Sequence, residues 1–308
     1  GEVYGLPAVE GFVRYGLCYN VGAVEEAGLD PDQPPRTWDE VYAWHEAITQ
    51  FDDAGNVTIV GLDPMDAMGG SIGFGDPFMW PISMGFDYYD QDNRVFNLDN
   101  DLMVESLEII KRFYDYVGAE KMQSFRQSYG RWTGPGASFT SGVQATQING
   151  YWTPGSMVEV APDKTFAYSW LPVPESRRDV KVQSMGGHYL FVPVGSPHPE
   201  QAFRFGEFLL TDEACDMIYE GNGWLPARKS YLDTVDTSRF PGLDWFVASA
   251  IEADELTEVE MDPITGITNV QFTDAVDAVI YGDKTPEQAA ADMQSNLTRE
   301  LAQALATR

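Results

Sequence analysis

The chain has 308 residues, enough for about two domains, and its 44% hydrophobic and 13% aromatic content are globular rather than disordered values. With 48 acidic against 19 basic side chains the formal charge is −29, which argues against nucleic acid and against an anionic membrane surface as partners. No uninterrupted apolar run is long enough to cross a bilayer, and no signal-like segment opens the chain.

In chain order, Tyr15 to Tyr19 predicts a short apolar strand, and Ala23 to Ala27 a helical turn ending at Gly28. Thr37-Trp38-Asp39-Glu40 has the spacing of a capping box, opening a helix to about Gln50. Asp52 to Asn56 is a turn and Val57 to Leu62 a strand, and residues 63 to 86 read as an irregular loop followed by a short helix. Asp101 to Val117 places Met103, Leu107, Ile110, Tyr114 and Val117 on one helical face. Phe139 to Gly142 closes another helix, and Ala145 to Ile148 is a buried strand leading into Asn149-Gly150-Tyr151-Trp152. Tyr168 to Val173 is a strand, Gly186-Gly187 a turn, and Tyr189 to Val194 the next strand. A proline-started helix runs to Leu210 and Thr211 caps its successor. Residues 233 to 270 read as irregular, Phe272 to Ile280 as helix, and Thr285 to Gln288 as a capping box for a terminal helix. Strands separated by helices predict an α/β architecture.

Cys18 and Cys215 form no CxxC and no zinc spacing, so buried free thiols are the plain expectation and a disulfide the alternative. No Ser-centred elbow, HExxH or Walker loop occurs, and the glycines of 69–75 lack the Lys-Ser/Thr of a phosphate cradle. With this many acidic residues chance carboxylate pairs are certain, so their number gives no support to a glycosidase. The same excess points to a saline habitat, with an ordinary acidic surface as the alternative.

Several stretches, in order, resemble the family-one extracellular solute-binding proteins of ABC importers, the maltose-binding-protein group. They are Gly5-Leu6-Pro7 with Leu17-Cys18-Tyr19-Asn20; Ala27-Gly28-Leu29-Asp30 through Pro35-Arg36-Thr37-Trp38-Asp39-Glu40; Ile148-Asn149-Gly150-Tyr151-Trp152; Gly186-Gly187 through Ser196-Pro197-His198-Pro199-Glu200 and Leu210-Thr211-Asp212-Glu213-Ala214; and Thr285-Pro286-Glu287-Gln288-Ala289. The resemblance implies a type II two-lobe periplasmic-binding-protein fold entered partway through, with most of lobe one lying ahead of the hinge in family members. Residues 1–12 would be hinge and lobe-one remnant, 13–182 lobe two, 183–232 a further lobe-one remnant, and 233–308 hinge and C-terminal helices on lobe two.

The implied function is non-catalytic capture of a small carbohydrate by lobe closure and delivery to ABC permease subunits. The implied receptor is a monomer, periplasmic or extracellular, with a lipid anchor through a preceding segment as one arrangement; it needs no cofactor or metal. Sugar rings offer apolar C–H faces and a hydroxyl rim, so a cleft needs flat aromatics and mixed donors and acceptors. Trp152 at a strand end, Phe78 and Trp80 in the 76–81 run, Trp224, Phe272 and Trp132 are the aromatic candidates, each also readable as core or loop packing. Asp76, Asn149, Gln183, His188 and Arg131 are the polar candidates. A polyol phosphate, polyamine or amino-acid derivative on the same fold is the main alternative ligand class, and a glycoside hydrolase a more distant one.

Overall fold

Local signals fix the helix starts. In the computed structural model the Thr37 hydroxyl accepts the Glu40 N–H at 3.3 Å while the Glu40 carboxylate accepts the Thr37 N–H at 3.2 Å, and the helix Trp38–Ile48 follows. Asn100 caps Asp101–Val117 by accepting the Met103 N–H at 2.9 Å. Thr285 and Gln288 exchange the same reciprocal pair of bonds ahead of Pro286–Ala306. Structure is described for residues 5–65, 76–129, 134–226, 228–258 and 261–306, without the side chains of 8, 9 and 76–78.

The strands are β1 Leu6–Val13, β2 Gly16–Asn20, β3 Gln50–Phe51, β4 Val57–Ile59, β5 Tyr89–Asp90, β6 Val95–Phe96, β7 Thr146–Asn149, β8 Phe166–Ser169, β9 Val182–Leu190 and β10 Glu255–Glu258. Sheet one has the order β1-β9-β10, antiparallel then parallel, and sheet two the order β7-β2-β8, antiparallel throughout. The remaining strands form the hairpins β3-β4 and β5-β6. Only Arg14 and Tyr15 separate β1 from β2, so the chain passes directly from one sheet to the other.

Two expectations are corrected. Gly186-Gly187 is not a turn but the middle of the continuous strand β9, where the backbone of β1 comes very close. A Cβ on Gly11 (φ +138°) would sit 2.4 Å from the Gly187 Cα, so glycine marks a pinch between strands rather than a reversal. Residues 233–270 are not irregular throughout: they hold the helix Leu243–Glu252, strand β10, and the start of the helix Thr265–Ile280.

The largest core cluster joins the buried face of Asp101–Val117 (Met103, Leu107, Ile110, Phe113) to Phe272 and Val276 of one C-terminal helix and Leu297 and Leu301 of the other. Each such side chain contributes about 1.5–3 kcal/mol of burial. A second cluster gathers Phe12, Cys18, Tyr151 and Tyr168 with Cys215, Leu225 and Phe246. Both thiols are free and buried there. Tyr189 and Phe191 of the sheet-one end, and Phe205 on the neighbouring helix Pro199–Leu209, are largely exposed. Among the described residues no helix is long and apolar enough to cross a membrane.

Candidate ligand-binding site

The pinch between β1 and β9 sets up a cluster of polar and aromatic side chains. Beside it, the Gly11 N–H lies 3.1 Å from the Leu225 carbonyl and 3.0 Å from the Tyr151 hydroxyl oxygen. That hydroxyl in turn donates to Glu10 Oε2 at 2.8 Å. His188, across the strand pair, places Nδ1 against Glu10 Oε1. A single half-buried carboxylate is thereby held from both sides. Burial pushes the Tyr151 phenol well above its ordinary pKa, so it stays a proton donor to Glu10 at every physiological pH. Phe12 meets the Tyr151 ring edge-on at 5.9 Å and fixes its tilt.

Trp152 follows directly, at the N-cap position of the helix Thr153–Val160. Its indole lies over Gly150, where any Cβ would come within 2.4 Å of the ring. The ring is partly buried, packs against both large clusters and stands edge-on to Tyr151 at 5.5 Å. Its Nε1–H is shut from solvent and has no partner among the described groups. Arg14, at the crossing between sheets, lays its side chain over Gly186 on the same strand pair. The segment carrying Trp224 joins this neighbourhood through the Leu225 carbonyl and through Asn222, whose backbone abuts Gly155 in the first turn of Thr153–Val160. The Trp224 ring is 36% exposed.

The structure thus brings Trp152, Trp224 and His188 together. It does not do so for the others. Trp80 is fully buried, stacked on Trp38 at 4.6 Å and 25°; Trp38 in turn donates to Ser83 Oγ at 2.8 Å. Trp80 is a core anchor in this arrangement. Phe272, 2% exposed, is core on the helix Thr265–Ile280.

Asn149 is closed to solvent, donating to Gln147 Oε1 at 3.1 Å and accepting the Gly150 N–H at 2.9 Å. Its role is to shape the Gly150–Trp152 turn. Gln183 is equally buried: it accepts the Tyr15 N–H at 3.1 Å and donates to Ser249 Oγ at 2.9 Å. It ties β9 to the sheet crossing and to the helix Leu243–Glu252. The side chains of Asp76 and Phe78, and the whole of Arg131 and Trp132, lie outside the described residues.

Sequence reasoning missed Glu10, Tyr151 and Arg14 as site residues. The available signal was Glu10 itself, the lone acid in the strand Leu-Pro-Ala-Val-Glu-Gly-Phe-Val. A carboxylate inside an otherwise apolar strand needs a bonded partner or a ligand.

With this geometry in place, comparison with known proteins is informative. The family model described as bacterial extracellular solute-binding protein matches residues 2–214. An uncharacterized ABC transporter extracellular-binding protein of Pyrococcus horikoshii is 24% identical over 217 residues, a stretch that spans 69% of this chain and 45% of that protein's length. Among solved structures, CpMnBP1 with mannotriose bound superposes with a TM-score of 0.82 at 21% identity, covering 96% of this chain and 73% of that one. A solute-binding protein of an ABC transporter from Thermotoga lettingae, bound with α-D-tagatose, gives 0.74 at 21% identity, covering 97% and 72%. At such identities the likeness speaks for the fold, the type II periplasmic-binding-protein arrangement of mixed sheets and helices.

Proposed function

Because this chain belongs to the bacterial extracellular solute-binding proteins, we propose that it is a non-catalytic receptor that captures a small carbohydrate for an ABC importer. The observation that carries this reading is the pairing of one braced carboxylate with a partly exposed indole at the crossing between two sheets. Glu10 accepts from a sugar hydroxyl with a charge-assisted bond, and Tyr151 and His188 hold its oxygens in place beforehand. Trp152 offers a flat face to the ring C–H groups, and Trp224 a second. The structural neighbours named above hold mannotriose and tagatose, ligands of that chemistry.

Capture would proceed by closure: a solute that touches both halves adds contacts the open form lacks, and only that difference shifts the population. The closed receptor, a monomer outside the cytoplasmic membrane, would then dock on permease subunits. Asp76 and Phe78 extend the proposed site from the start of the helix Asp76–Met84. The acidic surface suits a saline medium.

Thermal melts against mannobiose, mannotriose, tagatose, mannitol and a set of polyamines test the proposal. A true ligand at a hundredfold its Kd stabilises the native state by about 2.7 kcal/mol. The expected result is a raised Tm with at least one carbohydrate. A Tm raised by polyamines alone would overturn the carbohydrate assignment while leaving the receptor reading intact.

A further inference from the structure

A second cavity, apart from the Glu10–Trp152 cluster, goes beyond the function proposed above. It has a volume of about 400 Å³ and lies between the 81–89 stretch and strand β10. That size falls within the roughly 300–1,000 Å³ of small-molecule sites. Phe86, Tyr88 and Tyr89 contribute aromatic lining, and Asp87, Glu255 and Glu258 bring carboxylates to it. Arg177, which lies across Gly85 so closely that a Cβ there would overlap its guanidinium, is the cation of the lining and is bound to Glu255 at 2.7 Å. Among the described residues no ion pair involves Asp87 or Glu258, so the cavity keeps an excess of negative charge.

In so acidic a protein carboxylates alone would mean little. The independent observation is Tyr89. It is 3% exposed, lines the cavity, and has a hydroxyl shut from solvent with no partner among the described groups. A buried phenol oxygen left unbonded is costly, and an N–H donor from a ligand would remove that cost. The carboxylates disfavour an anion. A bare metal ion is disfavoured as well: among the described residues no group of three His, Cys, Asp or Glu side chains is placed to hold one, and apolar walls give a metal nothing.

We infer that this cavity binds a primary ammonium compound with a short apolar body. The ammonium donates to the Tyr89 hydroxyl and balances Asp87 and Glu258, and the body lies on Phe86 and Tyr88. Because the walls come from both the 81–89 stretch and β10, an occupant ties the sheet-one edge to the larger core.

Isothermal titration at low salt with 2-phenylethylamine tests this, with 2-phenylethanol and trimethyl(2-phenylethyl)ammonium as the neutral and the N–H-free counterparts. The expected result is one-to-one binding of the amine, roughly tenfold weaker binding of each counterpart, and amine binding that persists when carbohydrate saturates the receptor. Tyr89→Phe and the double variant Asp87→Asn, Glu258→Gln should each weaken the amine about tenfold while keeping the native Tm and the carbohydrate response. Equal binding of the alcohol, unchanged binding in the double variant, competition with carbohydrate, or no heat at millimolar amine would each overturn the inference.

Discussion

Trp152 and Trp80 are the same residue type at comparable sequence signals, yet one closes a core and the other lies at the site. Trp80 stacks on Trp38 within the largest cluster and has no surface left. Trp152 is held by Gly150 on one face and keeps a partly open edge. Because its indole also packs on both cores, its truncation mixes lost packing with lost ligand contact, and phenylalanine is the more discriminating substitution. His45 shows a residue whose chemistry is purely structural. Its Nδ1 accepts the Leu62 N–H at 3.1 Å, and it is 1% exposed. Burial lowers its pKa from 6.5 to about 4, with the charge of Asp63 opposing. Between those two pH values the unfolded chain binds a proton that the folded chain refuses. Stability is therefore full above pH 6.5, falls as pH drops toward 4, and levels off below. The loss is roughly 2–3 kcal/mol. Urea melts across that range should show the slope in the wild type and a flatter profile in His45→Gln.

Elements whose signals are local were legible in the sequence. The Thr37–Glu40 box and the single apolar face of Asp101–Val117 depend on neighbours within four residues, and both stand where the pattern placed them. The helix Leu243–Glu252 was not legible. It buries Leu243, Phe246 and Ser249 against partners from distant parts of the chain, and its aromatic content obscured the period. The Gly186-Gly187 pair was misread because glycine serves both turns and close strand approach, and only the position of Gly11 distinguishes them. The site was legible in part for the same reason. Trp152 follows a readable strand end, whereas Glu10 acquires its partners from residues 141 and 178 positions away.

Between elements, Arg126 on the helix Ala119–Gln127 binds Asp63 at 2.7 Å. Asp63 is 2% exposed and also accepts from Tyr114 at 2.9 Å. Arg126→Met would strand that carboxylate, and the expected cost is about 3–5 kcal/mol in chemical denaturation. The paired variant Arg126→Met, Asp63→Asn should recover much of it.

At the scale of the whole molecule the charge of −29 sets the response to salt. Self-repulsion of a compact acidic body weakens as the screening length falls from about 10 Å at 0.1 M to about 3 Å at 1 M. Tm should rise between those concentrations, and an unchanged Tm would mean that the acidic excess is energetically idle. The same field favours neutral or cationic solutes over anionic ones, which accords with a carbohydrate at the Glu10 cluster. The most direct test of that central assignment is calorimetric titration of mannotriose into the wild type, Glu10→Gln and Trp152→Phe at matched native Tm. One-to-one binding by the wild type, weakened at least tenfold in both variants, is expected; undiminished affinity in both would place the ligand elsewhere and contradict it.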